Sequence, residues 1–242
     1  MNYKILSLEN KEEWNNYLKS LPSKQQDIYY TPVYYSLYEN YGDGKAKFFI
    51  FEKEGKVAIY PFLINSINKL GYELDKEYCD IQGAYGYNGV ISSNYDKEFI
   101  DSFYNEFDEW CQNSNIIAEF TRFNPYIKNH SFSNVYLQAL LNRKTIVLNL
   151  NASIENIWKN AFSSKNRNMI RKASKNNYSV VTDNSPKGVR DFYKIYLETM
   201  KGINTDSYYY FNEEMFLNML KYPIFQFLFA EDKVNTRVAS MI

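Results

Sequence analysis

The sequence predicts an α+β protein built from two similar units joined end to end, each a mixed, mostly antiparallel sheet flanked by helices. Three observations predict it. Stretches with apolar residues at helical spacing alternate with short apolar runs bounded by turn residues. The order strand, helix, helix, hairpin occurs twice, and the turns Glu54-Gly55 and Asp232-Lys233 fall about 178 positions apart. Charge is divided between the halves: residues 1–140 carry 13 bases and 19 acids, residues 141–242 carry 15 bases and 9 acids. The 242-residue chain is neutral as a whole, so balances of −6 and +6 indicate units with different partners. The boundary is expected between residues 143 and 144.

In the first unit, Tyr3–Leu8 reads as a short strand, and Asn10 is placed to cap a helix with Trp14, Tyr17 and Leu18 on one face. Pro22 marks a loop. Pro32 suits the first turn of a second helix, in which Val33, Tyr34, Leu37, Tyr38 and Tyr41 share a face before Gly42 ends it. The runs FFIF (48–51) and VAIYPFLI (57–64) flank Glu54-Gly55, a hairpin signal. YCDIQGAYGYNGVISS (78–93) reads as a strand, a Gly/Tyr turn and a second strand. Phe99, Ile100, Phe103, Phe107, Trp110 and Cys111 form one stripe of a helix. Ile116–Phe123 is a strand ending in Arg122-Phe123-Asn124-Pro125, and TIVLNL (145–150) is another.

In the second unit, Ser153 can cap a helix bearing Ile154, Ile157, Trp158, Ala161 and Phe162. After Ser163-Ser164 a further helix carries Met169, Ile170 and Ala173 on one side and Arg167, Arg171 and Lys175 on the other. Tyr178–Thr182 is a strand, Val189–Met200 a helix, and Asn212 caps another whose Glu213 and Glu214 suit the positive helix end. Phe225–Ala230 and Arg237–Ile242 close as a hairpin. The first unit continues for about 80 residues past its hairpin and the second does not, so the chain is expected to be a fragment of a longer protein.

Composition excludes several chemistries. The single histidine, His130, lies in a polar stretch and reads as a surface residue, and Cys79 and Cys111 have no metal-ligand spacing, so no metal site is expected. There is neither a GxxxxGK[ST] loop nor a GxGxxG turn. No apolar run approaches the roughly 20 residues that span a bilayer, and MNYKILSLENKEEW contains no signal-peptide apolar core, so a reduced, soluble, cytoplasmic protein is expected. Between Glu155 and Asp183 there is no acid, while Lys159, Lys165, Arg167, Arg171, Lys172 and Lys175 all fall there, which points to an anionic partner.

Strand, helix, helix, hairpin, then strand-helix-strand resembles the element order of the GNAT acyltransferase module. Two such modules in tandem are similar to the Fem-type aminoacyltransferases of bacterial cell-wall synthesis and to FemAB-like acyltransferases of surface-polysaccharide synthesis. DIYYTPVYYSLYENYG (27–42), YCDIQGAYGYNGVISS, EFTRFNPYIKNH (119–130), SSKNRNMIRKASKNNYSVV (163–181) and LFAEDKVNTRVASMI carry the resemblance, in the family's order. It implies two GNAT-like modules, the second incomplete. The first is the acceptor side, with Tyr85, Tyr87, Arg122 and Asn124 binding substrate. The second is the donor side, with Lys165, Arg167 and Arg171 meeting donor phosphates. It further implies no tightly bound cofactor, acyl-CoA or aminoacyl-tRNA as co-substrate, and a small-molecule, glycan or peptide precursor as acceptor. Tyr38 stands near the place where Fem-type enzymes carry a lysine for acceptor phosphates, and the GNAT pyrophosphate loop is absent from the first unit. Transfer by direct attack of an amine or hydroxyl needs positioning and an oxyanion donor more than a protein nucleophile. Two other readings stay open at this point. One is a non-catalytic ligand-binding fragment; the other is an RNA-binding module using the basic helix. The Asn, Lys, Tyr and Ile richness points to an AT-rich bacterial genome.

Overall fold

The structure, a computed structural model, describes residues 2–242. The chain forms two compact units, Met1–Thr145 and Ile146–Ile242. The fold is α+β, with a six-stranded mixed sheet in the first unit and a three-stranded sheet in the second.

The first unit runs β1 (Tyr3–Leu6), α1 (Lys11–Ser20), α2 (Pro32–Tyr41), β2 (Lys45–Lys53), β3 (Lys56–Ser66), β4 (Cys79–Gln82), β5 (Ile91–Ser92), α3 (Lys97–Asn113), β6 (Ile116–Phe120) and α4 (His130–Ser133). Strand order is β1-β2-β3-β4-β6, with β5 also on β3. Lys53 pairs with Lys56, so Glu54 and Gly55 form a two-residue hairpin loop. Both have positive φ, 53° and 73°, as a turn that matches strand twist requires. The strands are antiparallel except β4 and β6. No tight turn can join a parallel pair, and α3 supplies the crossover.

FFIF is an unbroken apolar run because this sheet is covered on both faces. Phe48 stacks on Trp14 of α1 at 4.5 Å, while its neighbour Phe49 meets Phe107 of α3 edge-on at 5.1 Å. Around Phe49, Phe51, Tyr60 and Phe62 pack Phe99, Ile100, Phe103, Tyr104 and Phe107, all buried. Each such ring contributes about 1.5–3 kcal/mol by leaving water.

The second unit runs α5 (Ile154–Asn156), a π turn (Ile157–Ala161), α6 (Ser164–Lys175), β7 (Ser179–Thr182), α7 (Pro186–Gly202), α8 (Glu213–Met219), β8 (Leu228–Glu231) and β9 (Arg237–Met241). Its antiparallel order β7-β8-β9 repeats β1-β2-β3, with two helices between the first and second strands in each case. Val189 and Phe192 of α7 and Met215, Phe216 and Met219 of α8 cover one face over Phe227 and Phe229. Phe192 meets Phe216 at 5.0 Å and Phe227 at 5.1 Å. Val180, Val238 and Met241 remain exposed.

Three expected elements differ. TIVLNL joins no ladder among the described residues, and Ile146 is 99 % exposed. Its β-branched composition supplies propensity, but a strand also needs a neighbouring edge. The helix expected from Ser153 is a single α turn that opens into the π turn, where the Phe162 N–H reaches back five residues to the Ile157 carbonyl. Asn10 precedes α1 but its side chain does not cap it. Its Oδ1 instead accepts from the Ser7 N–H at 3.3 Å, closing the short turn before the helix.

Candidate functional site

The Gly/Tyr turn between β4 and β5 is held by asparagines. The Asn88 N–H donates to the Arg122 carbonyl at 2.8 Å, and the Arg122 N–H donates to Asn88 Oδ1 at 2.9 Å. The turn is thereby laced to the chain that leaves β6. Fully buried Asn129 donates from Nδ2 to the carbonyls of Asn88 (2.9 Å) and Val90 (3.2 Å) and to Tyr30 Oη (3.2 Å). Its Oδ1 accepts from the Asn124 N–H at 3.0 Å.

At the tip, Gly86 has φ +127°, and a Cβ there would lie 2.2 Å from the Tyr29 ring. Only glycine permits both the backbone and that approach. Tyr29 packs edge-on to Tyr34 at 5.1 Å and to Tyr87 at 5.4 Å. The Tyr34 hydroxyl donates to the Tyr85 carbonyl, and its ring lies 5.1 Å from that of Tyr38. Burial, reinforced by the charge of Asp27, pushes the Tyr29 phenol up, so it is protonated at neutral pH.

Exposed Arg122 sits with its guanidinium 5.5 Å over the Tyr85 ring. Among the described residues it forms no ion pair: Glu119, the nearest acid in the sequence, accepts from Tyr60 Oη at 2.6 Å and Thr121 Oγ1 at 2.8 Å. Desolvation pushes the Glu119 carboxyl up. The result is a cation over an aromatic ring beside two further half-buried tyrosines. Such a group can hold a carboxylate or phosphate by the guanidinium and a sugar or peptide face by the rings.

The structure thus brings together Tyr85, Tyr87 and Arg122. Asn124 has a different part: it is buried, with Oδ1 accepting from the N–H groups of Tyr126 and Ile127 and Nδ2 donating to Asp27 at 3.3 Å. It shapes the turn that carries Arg122. Sequence reading missed Tyr29, Asn88 and Asn129, which hold the site together. The spacing of Asn88 between two glycines was the one local signal available.

The basic residues of the second unit are disposed unequally. Arg167 turns back on its own chain, donating to the carbonyls of Trp158 (3.3 Å), Lys159 (3.1 Å) and Phe162 and to Ser164 Oγ (3.1 Å). It closes the carbonyl end of the π turn, where a cation is favoured. Arg171 lies 5.4 Å over the Trp158 ring and donates to Asn168 Oδ1 at 3.1 Å. Lys165 extends into solvent from the first turn of α6.

One charged cluster escaped the sequence reading. Arg237 on β9 donates to Asp183 (2.6 Å), Asp191 (2.9 Å) and Glu231 (3.2 Å), and lies 4.1 Å over Phe229. The acids come from the loop after β7, from α7 and from β8, so proximity arises only on folding. Hydrogen bonds from Ser185, and then from Arg237, hold the Asp183 carboxyl down at about 2. Among the described residues no group of three or more His, Cys, Asp or Glu side chains is placed to hold a metal ion, and no helix is long and apolar enough to cross a membrane. No protein-family model and no curated protein matches the chain.

Proposed function

We propose that the chain belongs to an acyltransferase of the FemAB-like GNAT kind. It moves an acyl group from acyl-CoA or aminoacyl-tRNA to an amine or hydroxyl of a cell-wall or surface-polysaccharide precursor in the cytoplasm. The observation that carries this reading is the element order of the first unit. A three-stranded antiparallel start with two intervening helices is followed by a parallel strand pair joined through α3, and the second unit repeats that start. Arg122, Tyr85 and Tyr87 are the acceptor-binding group in this reading: the guanidinium takes an anionic group of the acceptor and the rings take its sugar or peptide face.

A second reading, acceptor binding without turnover, is favoured by the state of Glu119, whose carboxyl is engaged by Tyr60 and Thr121. An RNA-binding reading draws on α6, but one of its cations, Arg167, is occupied by carbonyls of its own chain.

The test offers labelled acetyl-CoA and alanyl-tRNA as donors with a disaccharide-peptide acceptor. The acyltransferase reading expects transfer that falls about tenfold or more in Arg122→Ala, in line with the loss of a charge-assisted contact. Acceptor binding that depends on Arg122, with no transfer from either donor, selects the binding reading. Neither binding nor transfer rejects both.

A further inference from the structure

Helix α6 joins a basic side to an exposed apolar side, and the acyl-transfer reading does not use the apolar one. No acid occurs between Glu155 and Asp183, so every charged residue of α6 is basic. On the opposite side the helix exposes apolar residues: Met169 is 62 % and Ile170 is 41 % exposed. At about 100° per residue, Met169, Ala173 and Ile170 lie within an arc of about 100° that also holds Asn166, and Lys165 and Lys172 both border it on the Met169 side. Ile154, one helix earlier, is 87 % exposed.

We propose that α6 seats the protein on an anionic phospholipid surface. Met169 and Ile170 enter the headgroup–acyl boundary, and Lys165 and Lys172 reach up to the phosphates with their alkyl stems along the apolar layer. Nucleic acid is the other polyanion this charge could meet, and two observations favour lipid. The guanidinium of Arg167 is already held by three carbonyls and is not free for phosphate in a groove. The groups left projecting are lysines beside bare methionine and isoleucine, and a nucleic-acid backbone gains nothing from those two. The inference rests on α6 alone and stands apart from the reading of Arg122.

The experiment is co-sedimentation of the full chain with vesicles, either phosphatidylcholine alone or an equal mixture with phosphatidylglycerol, at low and high salt. Binding to the mixed vesicles and not to neutral ones is expected, and it weakens as salt rises. Lys165→Gln with Lys172→Gln lowers that affinity about thirtyfold. Met169→Ser with Ile170→Ser lowers it about tenfold or more. All four side chains are exposed, so circular dichroism of the variants should match that of the parent. Absence of binding to mixed vesicles at low salt overturns the proposal. So does binding that the serine pair leaves unchanged, or retention of tRNA under conditions where vesicles are not bound.

Discussion

The two units begin with the same plan and stabilise it by different means. In the first, β1-β2-β3 is sandwiched: α1 and α2 lie against one face, α3 against the other, and the interior between them is aromatic. In the second, α7 and α8 cover one face of β7-β8-β9, and a single guanidinium ties the loop after β7 to α7, β8 and β9. A common strand-helix-helix-hairpin frame therefore does not dictate its own glue. Where hydrophobic area is ample, packing suffices. Where one face remains open, a partly shielded ion cluster fixes the arrangement of the elements.

The sharpest way to break this comparison is to attack each glue in turn. Phe103 is fully buried against Phe49, Phe51, Tyr104 and Phe107. Phe103→Ala should cost about 3–5 kcal/mol, transfer and cavity together, in urea denaturation followed through Trp14 and Trp110. A loss below about 1 kcal/mol would mean that the first unit is not held by this core.

Arg237→Ala should cost about 2–3 kcal/mol, because it leaves Asp183 and Glu231 without their cation while Asp191 keeps Lys187, and Arg237→Lys should restore only part of that. If alanine there is neutral, the second unit depends on apolar packing after all. Gly86→Ala should cost about 1–3 kcal/mol through the clash with Tyr29 and the positive φ, and should weaken the acceptor binding proposed above through displacement of Tyr85 and Tyr87.

The smallest effect is also the most discriminating, because the two units respond to pH with opposite sign. Asp183 and Asp191 have depressed carboxyl pKa values in the folded state. Their stabilisation is complete above the unfolded carboxylate range of about 4 and is lost as pH falls, for Asp183 towards about 2. Glu119 has a raised one, so the folded state binds its proton more tightly than the unfolded chain, and stability declines as pH rises from the unfolded value through the folded one. Glu119→Gln should flatten the second slope and leave the first intact. Arg237→Ala should leave the second slope intact and reduce the first only in part, because Ser185 still holds Asp183 and Lys187 still holds Asp191.

Much of the frame was legible because its signals are local. Pro32 and Gly42 bracket α2 within one helix length. Glu54-Gly55 specifies its hairpin through φ alone, and the stripe from Phe99 to Phe107 specifies α3 by period. The failures share a cause as well. TIVLNL has strand chemistry, yet pairing depends on an edge elsewhere. The helix after Ser153 yields to a π turn whose carbonyls are gathered by Arg167, a residue of the next helix. At the candidate site, Tyr85, Tyr87 and Arg122 stand out by type, since exposed cations and aromatics beside glycine are chemically conspicuous. Asn88 and Asn129 do not: their importance lies in hydrogen bonds spanning 34 to 99 residues of sequence, for which composition leaves no trace.

Asn88 carries one more consequence. It is followed by Gly89, and an asparagine-glycine pair in a mobile chain ages: the glycine nitrogen closes on the side-chain carbonyl, ammonia leaves, and water opens the cyclic imide to aspartate or isoaspartate. Here the Asn88 side chain is buried, and its oxygen is held by the Arg122 N–H. Ring closure needs a rotation that this hydrogen bond opposes. Mass gain at Asn88 during storage therefore acts as a clock for opening of the Gly/Tyr turn, and preparations that have spent time with that turn released will carry the record in their peptide maps.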